Sequence, residues 1–319
     1  MNILYLTTHL NIGGITSYLF SLAIGMKRRG HNVMVASSGG RMLSRFIEED
    51  IGCFSIPIMT KSEISPKILI SLFKLRSCIK PNSIDIIHSN TRVTQVLGWL
   101  FSCLTKAAYV STCHGFFKNR FSRRVFPCWG LKVIAISKEV RNHLMSDFKI
   151  SESNIRLIPS GIDVSRFIVD RARQLNYSLR ERFSLGQGEV IGIVARLSDV
   201  KGHKYLIEAM KLVLQKVPKA HLLIVGEGRM KQDLINLVKQ LNIEENVSFV
   251  PTVLDTPEVL SVMDIFVMPS LKEGLGLSLM EAMACGLAVV GSDVGGIREL
   301  IQHGYNGLLL EPYDTERLA

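Results

Sequence analysis

Along the first half of the chain, short runs rich in β-branched residues alternate with stretches of helical length whose apolar residues recur every three to four positions. The runs Ile3–Thr7, Asn32–Ala36, Phe54–Ile58, Ile84–His88, Ala108–Thr112 and Val133–Ile136 read as strands. Strands separated by helices pair in parallel, in a sheet covered on both faces. From Asp163 to Gly188 the pattern lapses into a polar, basic segment without a strong strand signal. It restarts at Val190–Val194, His221–Val225, Val247–Val250, Ile265–Met268 and Ala288–Gly291. The expected fold class is α/β, with two doubly wound domains, residues 1–165 and 166–319, and a cleft between them. No window of about 18 uninterrupted apolar residues appears; the best candidate, Val93–Leu104, is short and closed by Lys106, so it predicts a buried helix.

Composition agrees with this and adds one asymmetry. At 319 residues, 47% apolar and 21% charged, the chain is globular and long for a single domain. The opening "MNILYLTT" has no basic n-region, so no secretory signal is expected and Ile3 begins the first strand. Six cysteines without a CxxC pair or metal-ligand spacing suit reduced thiols in the cytoplasm. Residues 1–165 hold 21 Lys and Arg against 9 Asp and Glu, whereas residues 166–319 hold 17 against 19. The basic excess therefore belongs to the first half.

In open parallel sheets ligands bind beyond the carboxyl ends of the strands, and several loops there are unusual. Gly13-Gly14 opens a helix after "THLNI" and leaves N–H groups bare for an anion, or makes only a tight turn. His114-Gly115 follows "YVSTC"; the histidine could bond a sugar hydroxyl, act as a base or be structural. Arg196 and Lys201 flank a helix start after "VIGIV", a suitable place for a pyrophosphate or for two solvated cations. In "KEGLGLSLMEAMACG", Glu273 and Glu281 could each accept two hydrogen bonds from a vicinal diol, with Gly274 and Gly276 letting the backbone approach it. The other reading is a turn glutamate plus a carboxylate serving the helix dipole. No GxGxxG is present, so a dehydrogenase fingerprint is missing.

Taken together, "NIGGI", "STCHG", "VIAIS", "IPSGID", "ARLSDVKG", "LLIVGEG" and "EGLGLSLMEAMACGLAVVGSDVGGIRELI" followed by "NGLLLEP" resemble the retaining glycosyltransferases of family 4, which have the GT-B fold of two Rossmann-like domains. The most specific element is the pair Glu273 and Glu281. The resemblance implies an N-terminal acceptor domain and a C-terminal domain holding a nucleotide-diphospho-sugar, a co-substrate rather than a cofactor. It further implies that Arg196 and Lys201 grip the diphosphate, Glu281 the ribose, and Glu273 and His114 the transferred sugar. Gly13, Gly14, Gly274, Leu275 and Gly276 would line the donor, with Gly14 reaching the phosphates from across the cleft. Catalysis would involve His114, Arg196, Lys201 and Glu273, by same-face attack with the leaving phosphate helping to take the acceptor proton. No two aspartates stand two residues apart, so the DxD metal motif of the other large transferase fold is missing and no metal is expected.

The sequence departs from the family's pattern at Ala195, Ser160, Ala288 and Pro251, the last of which obscures the nucleotide base. It also stops at "YDTERLA", where members of the family continue through further helices, so a truncated C-terminal domain is expected. For the acceptor, "HGFFKNRFSRRVFPCWG" interleaves Phe116, Phe117, Phe121, Phe126 and Trp129 with Lys118, Arg120, Arg123 and Arg124, and "SPKILISLFKLRSCIK" sets Lys67, Lys74, Arg76 and Lys80 around an apolar helix. Such surfaces suit a glycan or lipid-linked acceptor and an anionic membrane, as in cell-envelope polysaccharide, lipopolysaccharide or glycolipid synthesis, or are half-buried helices with solvated cations. No nucleic-acid motif accompanies the charge. Two other readings stay open: a nucleotide-sugar 2-epimerase of the same architecture, which would need no acceptor, and a non-catalytic sugar-nucleotide or glycan-binding protein.

Overall fold

The computed structural model describes residues 1–80, 83–118, 123, 126–167 and 177–319. They form two compact units, Met1–Gly161 and Ile162–Ala319. In the first, β1 (Asn2–Leu6), β2 (Asn32–Ser37), β3 (Gly52–Ser55), β4 (Ile86–Ser89), β5 (Ala108–Cys113), β6 (Lys132–Ala135) and β7 (Ile155–Leu157) make one parallel sheet in the order β3-β2-β1-β4-β5-β6-β7. Alternation along β1 sends its side chains to opposite layers. Ile3 and Tyr5 pack with Leu19 and Ala23 of α1 (Gly14–Arg28) and Phe46 of α2 (Leu43–Glu48). Leu4 and Leu6 pack with Ile68, Leu72 and Leu75 of α3 (Pro66–Cys78) and Val93, Val96, Leu97 and Phe101 of α4 (Arg92–Ser102). The helix foreseen within Val93–Leu104 is α4. It starts at a capping box in which Thr91 and Thr94 satisfy each other's backbone N–H groups. The unit's last long helix is α5 (Lys138–Phe148).

The second unit has β8 (Val190–Val194), β9 (His221–Val225), β10 (Val247–Val250), β11 (Ile265–Met268), β12 (Ala288–Ser292) and β13 (Leu308–Leu310), parallel in the order β10-β9-β8-β11-β12-β13. Its helices are α6 (Tyr177–Arg182), α7 (His203–Lys216), α8 (Lys231–Gln240), α9 (Thr256–Leu260), α10 (Leu277–Ala284), α11 (Ile297–Leu300) and α12 (Thr315–Leu318). Ile162 and Phe167 already pack in this unit's core, beside Val190 and Phe266. The division therefore falls slightly ahead of the boundary expected at residue 165.

Three strands differ from expectation. β3 stops at Ser55, because Pro57 has no N–H to give to a ladder, although Ile56 and Ile58 remain buried. β7 and β13 were not foreseen, being three-residue edge strands too short to show alternation. Strand order reverses between β1 and β4 in one sheet and between β8 and β11 in the other. Those two reversals, at the carboxyl ends of the strands, are where each unit can take a ligand.

Candidate functional site

At the reversal in the second sheet, the loop after β8 carries Arg196 and Lys201, and the loop after β11 carries Glu273 through Gly276. The two loops are tied together by the Leu271 N–H, which donates to the Val200 carbonyl at 2.8 Å. Lys201 Nζ makes an ion pair with Glu273 Oε2, the two side chains being only 20% and 12% exposed. The other carboxylate oxygen, Oε1, accepts from the Gly274 N–H at 3.1 Å. Beneath them, the Glu273 carbonyl accepts from the Gly296 N–H at 3.2 Å. A Cβ on Gly295 would lie 2.0 Å from that carbonyl oxygen, and one on Gly296 2.3 Å from Leu275 Cα. The glycine pair in "DVGG" is thus the floor on which Glu273, Gly274 and Leu275 rest.

Gly226 and Gly228 serve the neighbouring loop in the same way. Added Cβ atoms there would fall 2.0 Å from the Ala195 oxygen and 2.1 Å from the Leu197 oxygen. Arg196 is exposed and has no hydrogen bond or ion pair among the described residues. Gly202, which caps α7 with φ 72°, would bring a Cβ to 1.8 Å from the Pro269 oxygen. Gly202→Ala is expected to destabilise the second unit by roughly 2 kcal/mol or more, from left-handed strain and overpacking together. A denaturant titration measures it, with Gly186→Ala, where a Cβ meets nothing within 4 Å, as the control.

Gly276 caps α10 with φ 100°, and the following helix carries Glu281. Gly286, with φ 73°, ends the helix as the sequence suggested. Burial pushes the Glu281 carboxyl up to about 7, against the opposing pull of a Thr256 hydrogen bond and the Arg166 charge.

In the first unit, His114 follows β5 and is half-buried. Its Nε2 lies 3.1 Å from Asn90 Oδ1, while Asn90 Nδ2 donates to the His88 carbonyl at 3.4 Å. That orientation of the amide leaves Nε2 of His114 as the donor and Nδ1 with the free lone pair. Burial, reinforced by His88, holds His114 down to about 3. It is therefore a neutral hydrogen-bonding group at physiological pH and a weak base. Tyr18, in the second turn of α1, meets the His114 ring edge-on at 4.7 Å, and its hydroxyl is 3.4 Å from that of Thr112. Thr112 in turn bonds His88 Nε2 at 2.7 Å. Gly13, exposed at the N-cap of α1 with φ 157° and ψ 163°, has no atom within 4 Å of a would-be Cβ, and Gly14 is the first helical residue. The conformation is one that essentially only glycine adopts.

The candidate residues thus form two groups, each at the carboxyl edge of its own sheet: Gly13, Gly14 and His114 in one unit, and Arg196, Lys201, Glu273 to Gly276 and Glu281 in the other. Sequence reasoning missed Asn90, whose signal was only its place after a strand, and the support role of Gly295 and Gly296, which an adjacent glycine pair could have flagged. For the aromatic segment after His114 it left two readings open, a docking surface and a half-buried stretch with solvated cations. Phe116 packs edge-on against His143, Phe117 and Phe148 both pack against Trp129, and Phe126 packs on Trp99. Arg123 is 12% exposed, ion-paired to Glu63 at 2.9 Å and stacked over Phe117. Arg120, Phe121 and Arg124 lie outside the described residues.

Comparison with known proteins gives these loops a family. Residues 12–166 match Glycosyltransferase Family 4, and residues 179–319 match Glycosyl transferases group 1. An uncharacterized glycosyltransferase of Methanocaldococcus jannaschii is 27% identical, over 97% of this chain and 84% of its own. The UDP-Gal:alpha-D-GlcNAc-diphosphoundecaprenol alpha-1,3-galactosyltransferase of Escherichia coli is 26% identical, over 89% and 77%. Among solved structures, Anabaena HepE in complex with UDP-glucose superposes with a TM-score of 0.86 at 23% identity, covering all of this chain and 88% of that one. The two parallel sheets, each with its glycine-rich loops at the strand reversal, define a GT-B fold. The chain belongs to the family 4 glycosyltransferases, and it is a glycosyltransferase.

Proposed function

We propose that this glycosyltransferase moves a sugar from a nucleotide-diphospho-sugar to a glycan or lipid-linked acceptor in cell-envelope polysaccharide or glycolipid synthesis, with retention of configuration and without a metal. The observation that carries the reading is the Lys201–Glu273 pair at the strand reversal of the second sheet, its lysine on the same loop as Arg196, which has no partner among the described residues. A diphosphate arriving there offers Lys201 a stronger anion than one carboxylate. As Lys201 turns toward it, Glu273 Oε2 is released to accept from sugar hydroxyls, while Oε1 stays held by the Gly274 N–H. Arg196 and Lys201 then neutralise the charge that develops on the leaving phosphate, the task a divalent ion performs elsewhere. Glu281 would accept from the ribose diol. His114, held by Asn90 as the Nε2–H tautomer, would offer Nδ1 to a hydroxyl of the transferred sugar. The Gly13-Gly14 start of α1 suits phosphate oxygens.

The acceptor part of the reading draws support from the basic first half and from the E. coli relative, whose acceptor is a diphosphoundecaprenol-linked sugar. The test is transfer from UDP-, GDP- and ADP-sugars to polyprenyl-diphosphate-linked acceptors, with the product anomer read by NMR. Retained configuration is expected, and turnover should survive saturating EDTA. Complete loss that only added metal restores, or sugar-nucleotide conversion with no acceptor present, would overturn the reading.

A further inference from the structure

Helix α3 carries large apolar side chains on more than one side, and the fold buries only one set of them. Ile68, Leu72 and Leu75 are buried against the sheet, whereas Leu69, Ile70 and Phe73 on the outside are 52%, 54% and 70% exposed. Spacings of three and four residues make those three side chains neighbours. Just ahead of the helix, Ile64 is 90% exposed. A scattered exposed leucine is ordinary, but four large apolar side chains gathered on one helix and its entry turn mark an interaction surface.

The charges around the patch say what that partner is. Lys61, Lys67, Lys74, Arg76 and Lys80 are all exposed, and none is ion-paired among the described residues. Lys67 Nζ makes only a neutral contact, donating to the Met59 carbonyl at 3.1 Å. The one carboxylate between residues 59 and 80, on Glu63, is turned inward and held by Arg92 at 3.0 Å and Arg123 at 2.9 Å. The outer surface is therefore apolar at its centre and cationic at its rim. A second copy of the chain would set cations against cations, since a two-fold interface pairs each patch with itself. A fluid anionic headgroup layer satisfies both parts of the surface at once.

We propose that α3 and its entry turn dock this chain on an anionic lipid bilayer, with Ile64, Leu69, Ile70 and Phe73 entering the headgroup–acyl boundary and Lys67, Lys74 and Arg76 pairing with lipid phosphates. The proposal rests on the reading of a lipid-linked acceptor, and it places the membrane contact on α3 rather than on the segment after His114, where Phe116, Phe117, Trp129 and Arg123 pack within the fold.

Co-sedimentation with phosphatidylcholine vesicles, with and without about a quarter phosphatidylglycerol, tests it. Wild type should bind only the anionic vesicles and be released by salt. Ile70→Ser/Phe73→Ser and Lys74→Glu/Arg76→Glu should each weaken binding on the order of tenfold or more with unchanged thermal midpoints. Lys216→Glu/Lys239→Glu, which makes the same charge change on the exposed face of the other unit, should leave it intact. Phe73→Trp should shift its emission to the blue on binding and be quenched by brominated lipid. The surface is overturned if wild type ignores anionic vesicles at low salt, if the α3 variants bind as wild type does, or if the second-unit control weakens binding equally. A concentration-dependent dimer, or capture of an acidic protein, that the α3 variants abolish while vesicle binding persists would overturn it as well. Transfer in detergent separates the two ideas. If the lipid-linked acceptor is used there while the α3 variants bind normally, only the surface fails; if α3-dependent binding is found but no such acceptor is used, only the acceptor reading fails.

Discussion

Lys201→Ala and Arg196→Ala are each expected to lower turnover on the order of 10²-fold, the usual cost of removing a charge partner that acts on the leaving group. The two substitutions should differ in everything else. Arg196 is exposed and without a partner among the described residues, so its loss should leave thermal stability unchanged. Lys201 is 20% exposed and paired with a Glu273 that is 12% exposed. Removing it strands a largely buried carboxylate, which costs more than the pair itself contributes. The midpoint of Lys201→Ala should therefore fall, and Lys201→Ala/Glu273→Gln should recover much of that stability without recovering activity. The measurement is a double-mutant cycle read twice, once by thermal unfolding and once by kcat/KM for the donor. A tenfold or smaller loss of turnover for both single variants would remove the diphosphate assignment.

How far these residues could be read in advance depended on the range of the interaction that places them. Five of the strands in the second unit follow from local β-branched runs bounded by turn residues, and the helix start at Leu277 follows from the glycine before it, so Glu273 and Glu281 were legible as a loop residue and a helix residue. That Glu273 bonds Lys201 was not, since the two are 72 residues apart and meet only because β8 and β11 are neighbours across the strand reversal. Asn90 escaped for the same reason. It meets His114 because β4 and β5 are adjacent, and nothing local distinguishes it from any other polar residue after a strand. The composition of the segment after His114 left a surface and a half-buried stretch equally open, and packing against His143, Trp129 and Glu63 decides where Phe116, Phe117 and Arg123 go. On α3 the periodicity was ambiguous because apolar residues occupy both faces, and only the exposure of Leu69, Ile70 and Phe73 separates the face that packs from the face that does not.

Donor affinity is expected to rise with pH, on the order of tenfold between about pH 5.5 and 7.5, and Glu281 is the group responsible. Burial raises its carboxyl from 4.5 to about 7, so without ligand it is largely protonated below neutrality. A ribose diol donates two hydrogen bonds, which only the carboxylate can accept in full, so binding favours the ionised form and releases a proton. The affinity must then climb as pH rises toward 7 and level off above it. Titration calorimetry in buffers of different ionisation enthalpy reads both the affinity and the released proton. Glu281→Gln should abolish the proton release and flatten the profile at the weak, low-pH level. Stability runs the other way. Because the folded-state value lies above the unfolded one, ionising Glu281 opposes folding, an effect that is absent below pH 4.5, grows between 4.5 and about 7, and is complete above that. Glu281→Gln should accordingly match the parent's thermal midpoint at low pH and exceed it above neutrality while binding donor less well. A variant that binds donor as tightly as the parent at pH 7.5, with the proton still released, would take Glu281 out of the site.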